Sequence, residues 1–442
     1  MLPLPLGLVT YPCPFEYLPS HGACNEVDKI LPDQDGIRFP GARQDISNRT
    51  FHKRLAESDS VLTKGVENLS TAELERYSRQ LVLPELGPEG QRKLKESSVV
   101  VVGAGGLGLP ASVYLVAAGV GTLRLIDMDV VEMSNLHRQT LYTEADVGRP
   151  KVEVAAERLG GVNPHVSIDH QRRKLDSTNA LDLLSGFDVV LDCTDNFPTR
   201  YLINDACLML HRPDIYASVF RFDGQASVFD GDKGPCYRCL FPAPPPPESV
   251  QDCSEAGVLG VLPGIMGSVQ AAQALGIIRG ARRHLVGRLL LLDANEMTFT
   301  ELNVKKNPLC PACGDGRRSL RLIDYEEFCG VRKRAEQGIG ITPVELKRWL
   351  DGGRTIVLLD VREPFEHAFC RLEGSKLIPL GELPARMGEL DPNAETVVYC
   401  HMGNRSATAV RFLSSKGFKR VWNLNGGTTA WADQVDRSMP KY

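Results

Sequence analysis

The sequence predicts an α/β protein: a doubly wound, Rossmann-like unit followed by a smaller α/β unit. Three observations predict it. The valine run Val99–Val102 meets a glycine-rich turn and then an apolar helical stretch. Short buried-strand runs alternate with helical segments as far as Asp188–Leu191, the mark of a largely parallel sheet. The alternation resumes near Ile341, and residues 338–442 suffice for one small domain.

Taken in order, residues 1–69 are rich in Pro, Asn, Asp and Ser without sustained periodicity and read as a largely irregular extension. The first unit spans 70–320. Ser70-Thr-Ala-Glu73 has the capping-box spacing and opens a helix through Ser78. Strands are predicted at Val99–Val102, Leu123–Ile126, Val166–Asp169, Asp188–Leu191 and Leu289–Leu292, with helices over Ala111–Ala118 and Val152–Leu159. The prolines of Ala243–Pro247 force an extended connector. Charged residues over 321–337 read as a linker. In the second unit, Thr342-Pro343 opens the helix Val344–Leu350, followed by strands Thr355–Leu359 and Val397–Tyr399 and the helix Ala407–Leu413.

Composition narrows the function classes. The chain has 442 residues, and 43% hydrophobic content supplies material for sizeable cores, which excludes a wholly disordered protein. A net charge of −4, from 51 Lys and Arg against 55 Asp and Glu, offers no basic excess for nucleic acid. The N-terminal MLPLPLGLVT lacks a basic region and is broken by Pro3 and Pro5, unlike an export signal. The uncharged runs Ser97–Leu123 and Ala256–Ile278 are glycine-rich, each holds a proline, and both read as buried core rather than membrane spans. A cytoplasmic protein is expected.

Gly103-x-Gly105-x-x-Gly108 directly follows a strand and opens a helix, and Asp127 ends the next strand. This is a dinucleotide fingerprint in its proper context: glycines admit phosphate to the backbone, a helix N-terminus supplies N–H groups, and the acid accepts from a ribose. A nicotinamide enzyme would satisfy it, but would leave Arg138, Lys151 and Asp195 unexplained. Cations with an acid suit a triphosphate and Mg²⁺, neutralising charge on departing pyrophosphate.

The motifs Arg76-Tyr-Ser-Arg79-Gln, Gly103-Ala-Gly-Gly-Leu-Gly108, Ser134-Asn-Leu-His-Arg-Gln139, Asp192-Cys-Thr-Asp-Asn196 and Cys236-Tyr-Arg-Cys239 occur in order. Together they resemble the MoeB/ThiF/HesA superfamily, relatives of the ubiquitin-activating enzymes, over residues 70–320. The resemblance implies ATP-dependent adenylation of the C-terminal glycine of a ubiquitin-like sulfur carrier ending in Gly-Gly. It implies ATP and Mg²⁺ contacts from Gly103, Gly105, Gly106, Gly108, Asp127, Asp129, Ser134, Asn135, Arg138, Gln139, Lys151, Asp195 and Asn196. It also implies a homodimer in which Arg79 reaches the partner's site.

The twelve cysteines divide by context. Cys236-x-x-Cys239 and Cys310-x-x-Cys313 supply four soft ligands for a structural Zn²⁺, a redox pair being the alternative; the resemblance places zinc there. Cys253 sits in a loop setting that favours an accessible thiol, and the resemblance maps it to a crossover-loop cysteine that forms a thioester or a disulfide. Cys400 follows a strand and precedes His401-Met-Gly-Asn-Arg405-Ser, which opens a helix. Helix N-terminus and Arg405 give positive potential suited to a nucleophilic sulfur. Four residues separate Cys400 from Arg405, one fewer than in the phosphate loops of dual-specificity phosphatases, so the loop suits a single sulfur atom. With Leu359-Asp-Val-Arg-Glu363 and Gly426-Gly-Thr-Thr-Ala-Trp431, residues 338–442 resemble a rhodanese domain carrying a persulfide on Cys400. His401 reads as a solvated loop histidine, Cys193 and Cys207 as core.

The domain order resembles the adenylyltransferase–sulfurtransferase group that makes carrier thiocarboxylate for molybdenum cofactor or tRNA thiolation. A cysteine desulfurase or thiosulfate is the expected sulfur donor. Two related readings stay open: a plain ubiquitin-like activator using a Cys253 thioester for conjugation, and carrier activation for thiamine or cysteine synthesis.

Overall fold

The computed structural model describes residues 68–245, 257–282, 284–314, 320–330 and 340–441. The first unit is built on eight strands: β1 (Ser98–Val102), β2 (Thr122–Ile126), β3 (Ser167–Gln171), β4 (Val189–Asp192), β5 (Asp214–Phe220), β6 (Asp223–Phe229), β7 (Arg288–Asp293) and β8 (Thr298–Asn303). They form one sheet in the order β3-β2-β1-β4-β5-β6-β7-β8. Pairing is parallel from β3 to β5 and antiparallel from β5 to β8. The predicted strands lie within one or two residues of those observed. Helix Thr71–Arg76 starts at Ser70, with Ser70 Oγ and the Glu73 carboxylate closing a reciprocal capping box.

All four residues of β1 from Val99 to Val102 are buried, as expected of a central parallel strand covered on both faces. One face packs under helices Gly108–Ala118, Lys151–Val162 and Val261–Arg279; the other packs under Phe197–Leu210. Helix Val261–Arg279 is long and apolar enough to cross a membrane by length and composition. Here its Gln270 is wholly buried and donates to the carbonyls of Asp192 and Ile215 at 2.7 and 2.8 Å, stitching the helix onto β4 and β5. An amide so placed specifies a protein core.

Part of the stretch read as linker is structured. Helix Tyr325–Phe328, capped by Asp324, packs into the core beneath the first sheet through Tyr325 and Cys329. Tyr325 supplies an aromatic anchor that charge counting over 321–337 overlooked.

The second unit has a wholly parallel five-stranded sheet, ordered β11-β10-β12-β13-β9, from β9 (Gly340–Ile341), β10 (Val357–Asp360), β11 (Lys376–Leu377), β12 (Thr396–Tyr399) and β13 (Val421–Leu424). β12 is central and fully buried, and Cys400 follows it directly. Helix Pro343–Asp351 opens at Thr342 as expected, and a capping box between Thr342 and Glu345 closes its start.

Candidate nucleotide site, cysteine cluster and sulfur cradle

The C-terminal ends of the parallel strands open into a cavity of about 840 Å³, where ligands bind in doubly wound sheets. Gly103, Gly105, Gly106, Asp127, Asp129, Arg138, Gln139, Lys151, Asp195 and Asn196 line it. The glycine turn is sterically forced. A β-carbon on Gly108 would lie 1.9 Å from the Gly103 carbonyl oxygen, and one on Gly103, at φ +99°, 2.7 Å from that of Cys193. Gly108 thus shapes the turn without lining the cavity.

Asp127 caps β2 with both oxygens in use: Oδ2 accepts from the Ala104 N–H and Oδ1 from the Asp129 N–H, each at 2.8 Å. Burial pushes its acid above the ordinary carboxylate range, against the pull of Lys151. Lys151 is buried and donates through Nζ to Asp129 at 3.0 Å. Arg138 donates to the Ser134 carbonyl at 3.0 Å, and the buried Asn135 donates to Ser134 Oγ at 3.3 Å. Ser134 and Asn135 therefore stand behind Arg138, outside the cavity lining. Asn196 caps helix Phe197–Leu210, accepting from the Thr199 N–H at 3.0 Å, while Asp195 beside it is exposed at the mouth. Arg79 lies exposed on helix Ser78–Leu81, away from this cavity. Cys253 lies outside the described residues.

Beneath the floor two acids are buried together. Asp192 Oδ1 accepts from Thr194 N–H and Oγ1 at 3.0 and 2.6 Å, while its Oδ2 has no hydrogen-bond partner among the described residues. Neither oxygen of Asp214 has one. Burial, with Asp192 nearby, pushes the Asp214 acid far above its ordinary range. No sequence signal singled out Asp214; it occupies a strand position that calls for an apolar residue.

Cys236, Cys239, Cys310 and Cys313 come together with all four sulfurs within 4.8 Å of one another. Adjacent pairs stand at 3.4, 3.6 and 3.9 Å. Tetrahedral Zn–S bonds of about 2.3 Å require sulfurs about 3.8 Å apart. The arrangement fits a bound metal, and no disulfide joins the cysteines among the described residues. The Asn307 N–H donates to Cys239 Sγ at 3.4 Å, the outer-shell contact expected around a thiolate ligand.

In the second unit the loop after β12 wraps one sulfur. Cys400 Sγ accepts from the Gly403 N–H at 3.0 Å and from Ser406 Oγ at 3.3 Å, and the residue is wholly buried. Gly403 takes φ +96°, which brings its N–H round to the sulfur. The glycines of Gly426-Gly-Thr press on this loop: a β-carbon on Gly427 would meet the Cys400 carbonyl oxygen at 2.2 Å, and the Thr428 N–H donates to that oxygen at 2.9 Å.

One expectation for this loop changes, and another residue gains a partner. Arg405 is held by a buried carboxylate. Its guanidinium forks onto Glu366 at 2.7 and 2.8 Å, both side chains buried, so the pair is neutral as a unit. Sequence reading passed over Glu366 because its partner lies 39 residues away. His401 is buried rather than solvated, with Thr429 Oγ1 donating to its carbonyl at 3.2 Å. Cys193 and Cys207 are core residues, as expected.

Comparison with known proteins accords with this geometry. Residues 77–312 match the ThiF family and residues 342–434 the rhodanese-like domain. The chain is 42% identical over 391 residues to the "Probable adenylyltransferase/sulfurtransferase MoeZ" of Mycobacterium tuberculosis, covering 86% of this chain and 98% of that protein. It is 55% identical over 265 residues to the "Sulfur carrier protein adenylyltransferase" of Thermus thermophilus, covering 59% of this chain and 98% of that protein. The crystal structure of Escherichia coli MccB with MccA-N7isoASN shares the fold, with TM-score 0.52 and 23% identity over 61% of this chain and 83% of that one. These matches show that the chain belongs to the ThiF family and carries a C-terminal rhodanese domain, the pairing of an adenylyltransferase/sulfurtransferase.

Proposed function

We propose that the chain adenylates the C-terminal glycine of a ubiquitin-like sulfur carrier and then converts that carboxylate to a thiocarboxylate with sulfur held on Cys400. The observation that carries the reading is the presence in one chain of a triphosphate-sized cavity with a forced glycine turn and a separate loop that wraps a single sulfur.

The carrier carboxylate attacks the α-phosphorus of ATP and pyrophosphate leaves. The nucleophile is already ionised, so positioning and charge neutralisation carry the step. Lys151 and Arg138 face the phosphates, Asp127 holds the ribose, and Asp195 would hold Mg²⁺ at the mouth, the metal neutralising phosphate charge when bound. A Cys400 persulfide then attacks the acyl carbonyl, AMP leaves, and an acyl disulfide forms. A second thiol, assigned to Cys253, attacks Cys400 Sγ and frees the thiocarboxylate; a dithiol reductant reopens the resulting disulfide. The four clustered cysteines would hold zinc as a structural clasp.

The exposure of Arg79 on a helix away from its own cavity supports a homodimer in which it reaches across. The reading places this chemistry in the reducing cytoplasm, where thiols stay available for persulfide formation and metal binding. The test is incubation with ATP, a sulfur source and a panel of Gly-Gly-tailed carriers, read by intact mass. Replacement of one carrier oxygen by sulfur is the expected result. Carrier found only in isopeptide adducts, or no ATP use, refutes it.

A further inference from the structure

We propose that Lys174 and Glu326 form a clamp over the base end of the nucleotide cavity, built from the chain segment that leads toward the rhodanese domain. The inference rests on the adenylation reading and adds the residues that hold the nucleoside.

Placement shows which end this is. Along β1, β2 and β3 the glycine turn follows β1, Asp127 follows β2, and Arg173–Leu175 follows β3. A nucleotide with its phosphates on the turn and its ribose at Asp127 therefore points its base toward the β3 side. There Lys174, Leu175, Asp324, Tyr325 and Glu326 all line the cavity. Lys174 donates to Glu326 across 152 residues of sequence.

The segment carrying Glu326 is fixed from below. The Tyr325 hydroxyl donates to Asp205 at 2.8 Å, and Asp205 also takes two hydrogen bonds from Arg238 at 2.9 and 2.7 Å. Phe328 meets Tyr201 edge-on at 5.3 Å and lies under the Arg238 guanidinium at 4.8 Å. Tyr325 shares one core cluster with Val102, Ile126 and Leu175, which also line the cavity. The Lys174–Glu326 side chains are 57% and 35% exposed, and an ion pair so open to water adds little to folding. A rigid anchor that delivers such a pair to a cavity mouth is instead suited to enclosing what binds there. The tether of the sulfur-transfer unit is thereby part of the nucleotide site.

The test uses the full chain in carrier-dependent ATP–pyrophosphate exchange, with Lys174→Glu, Glu326→Lys and the double exchange, and with tripolyphosphate as a competing ligand that has no nucleoside. Each single change is expected to raise KM for ATP by about tenfold with kcat within about threefold; the double exchange recovers most of the loss; tripolyphosphate inhibition stays within about twofold throughout. Retained kcat reports intact folding. ATP KM unchanged in both single variants, or tripolyphosphate weakened in parallel with ATP, overturns the clamp. Absence of exchange in the unaltered chain overturns the adenylation reading and the clamp with it.

Discussion

Replacing Glu366 with alanine removes the two charge-assisted hydrogen bonds that hold Arg405 behind the sulfur loop. Only 9% of the Arg405 side chain and 5% of the Glu366 side chain are exposed, so water screens the pair little. Breaking a buried pair from one side costs about 3–5 kcal/mol. Two hydrogen bonds between charged groups, at about 1.5–3 kcal/mol each, give the same range. Against a domain stability of about 5–15 kcal/mol, and at several degrees per kcal/mol, the rhodanese unit should melt on the order of 20 °C lower. Its unfolding can be followed alone, because the chain's three tryptophans, Trp349, Trp422 and Trp431, all lie in this unit. Urea unfolding read by tryptophan fluorescence supplies the magnitude. The paired replacement Glu366→Leu with Arg405→Met separates structure from chemistry. It should regain most of the stability. If Gly403 and Ser406 are what stabilise the sulfur, it should also keep thiosulfate-to-cyanide sulfur transfer within about tenfold. An alanine variant within about 1 kcal/mol of the parent would refute the energetic argument. A well-folded double variant that loses sulfur transfer more than about hundredfold would show that the Arg405 charge acts on Cys400 after all.

Asp195→Ala should abolish carrier-dependent ATP–pyrophosphate exchange while the protein stays folded; exchange at the parental rate rules Asp195 out as the metal-holding group. Metal analysis of purified protein should find about one zinc per chain, and Cys310→Ser with Cys313→Ser should lose it and lower the melting temperature of the first unit; a metal-free protein of unchanged stability contradicts the clasp. Asp214→Asn should stabilise the first unit at neutral pH. The Asp214 acid is raised in the folded state, so that state binds the proton more tightly and stability falls as pH climbs above the unfolded value of about 3.9. The parent should therefore lose up to about 1.4 kcal/mol per pH unit relative to the variant over that climb. Parallel stability–pH curves from pH 4 to 8 would disprove this account.

What the sequence made legible was short-range. β1, the glycine turn and Asp127 follow from contiguous residues whose spacing has one structural solution. The capping box at Ser70 is read three residues apart, and the helix start at Thr342-Pro343 from two adjacent residues; both appear where expected. What stayed hidden was long-range. The β5–β6 hairpin turns at Arg221 and Phe222, where Arg221 takes φ +52° without the Asn-Gly signature of such turns. Glu366 and Glu326 each find a partner in a distant element, and one chain gives no sign of that. Arg405 illustrates the cost of local reasoning: its position near Cys400 was plain, but the direction of its guanidinium was set by a carboxylate on another helix.

The glycine turn has a consequence for how the first unit responds to its ligand. Its three close approaches involve three different elements: Gly108 against Gly103, Gly103 against the chain after β4, and Gly106, whose β-carbon would stand 3.0 Å from Pro263 on the long helix. The glycine turn is a junction, and it takes shape only when β1, β4 and helix Val261–Arg279 are all docked. Nucleotide binding therefore draws on the cooperative assembly of the whole unit. ATP at a hundred times its dissociation constant would add about 2.7 kcal/mol to global unfolding, and amide exchange would slow together across elements that are far apart in the chain.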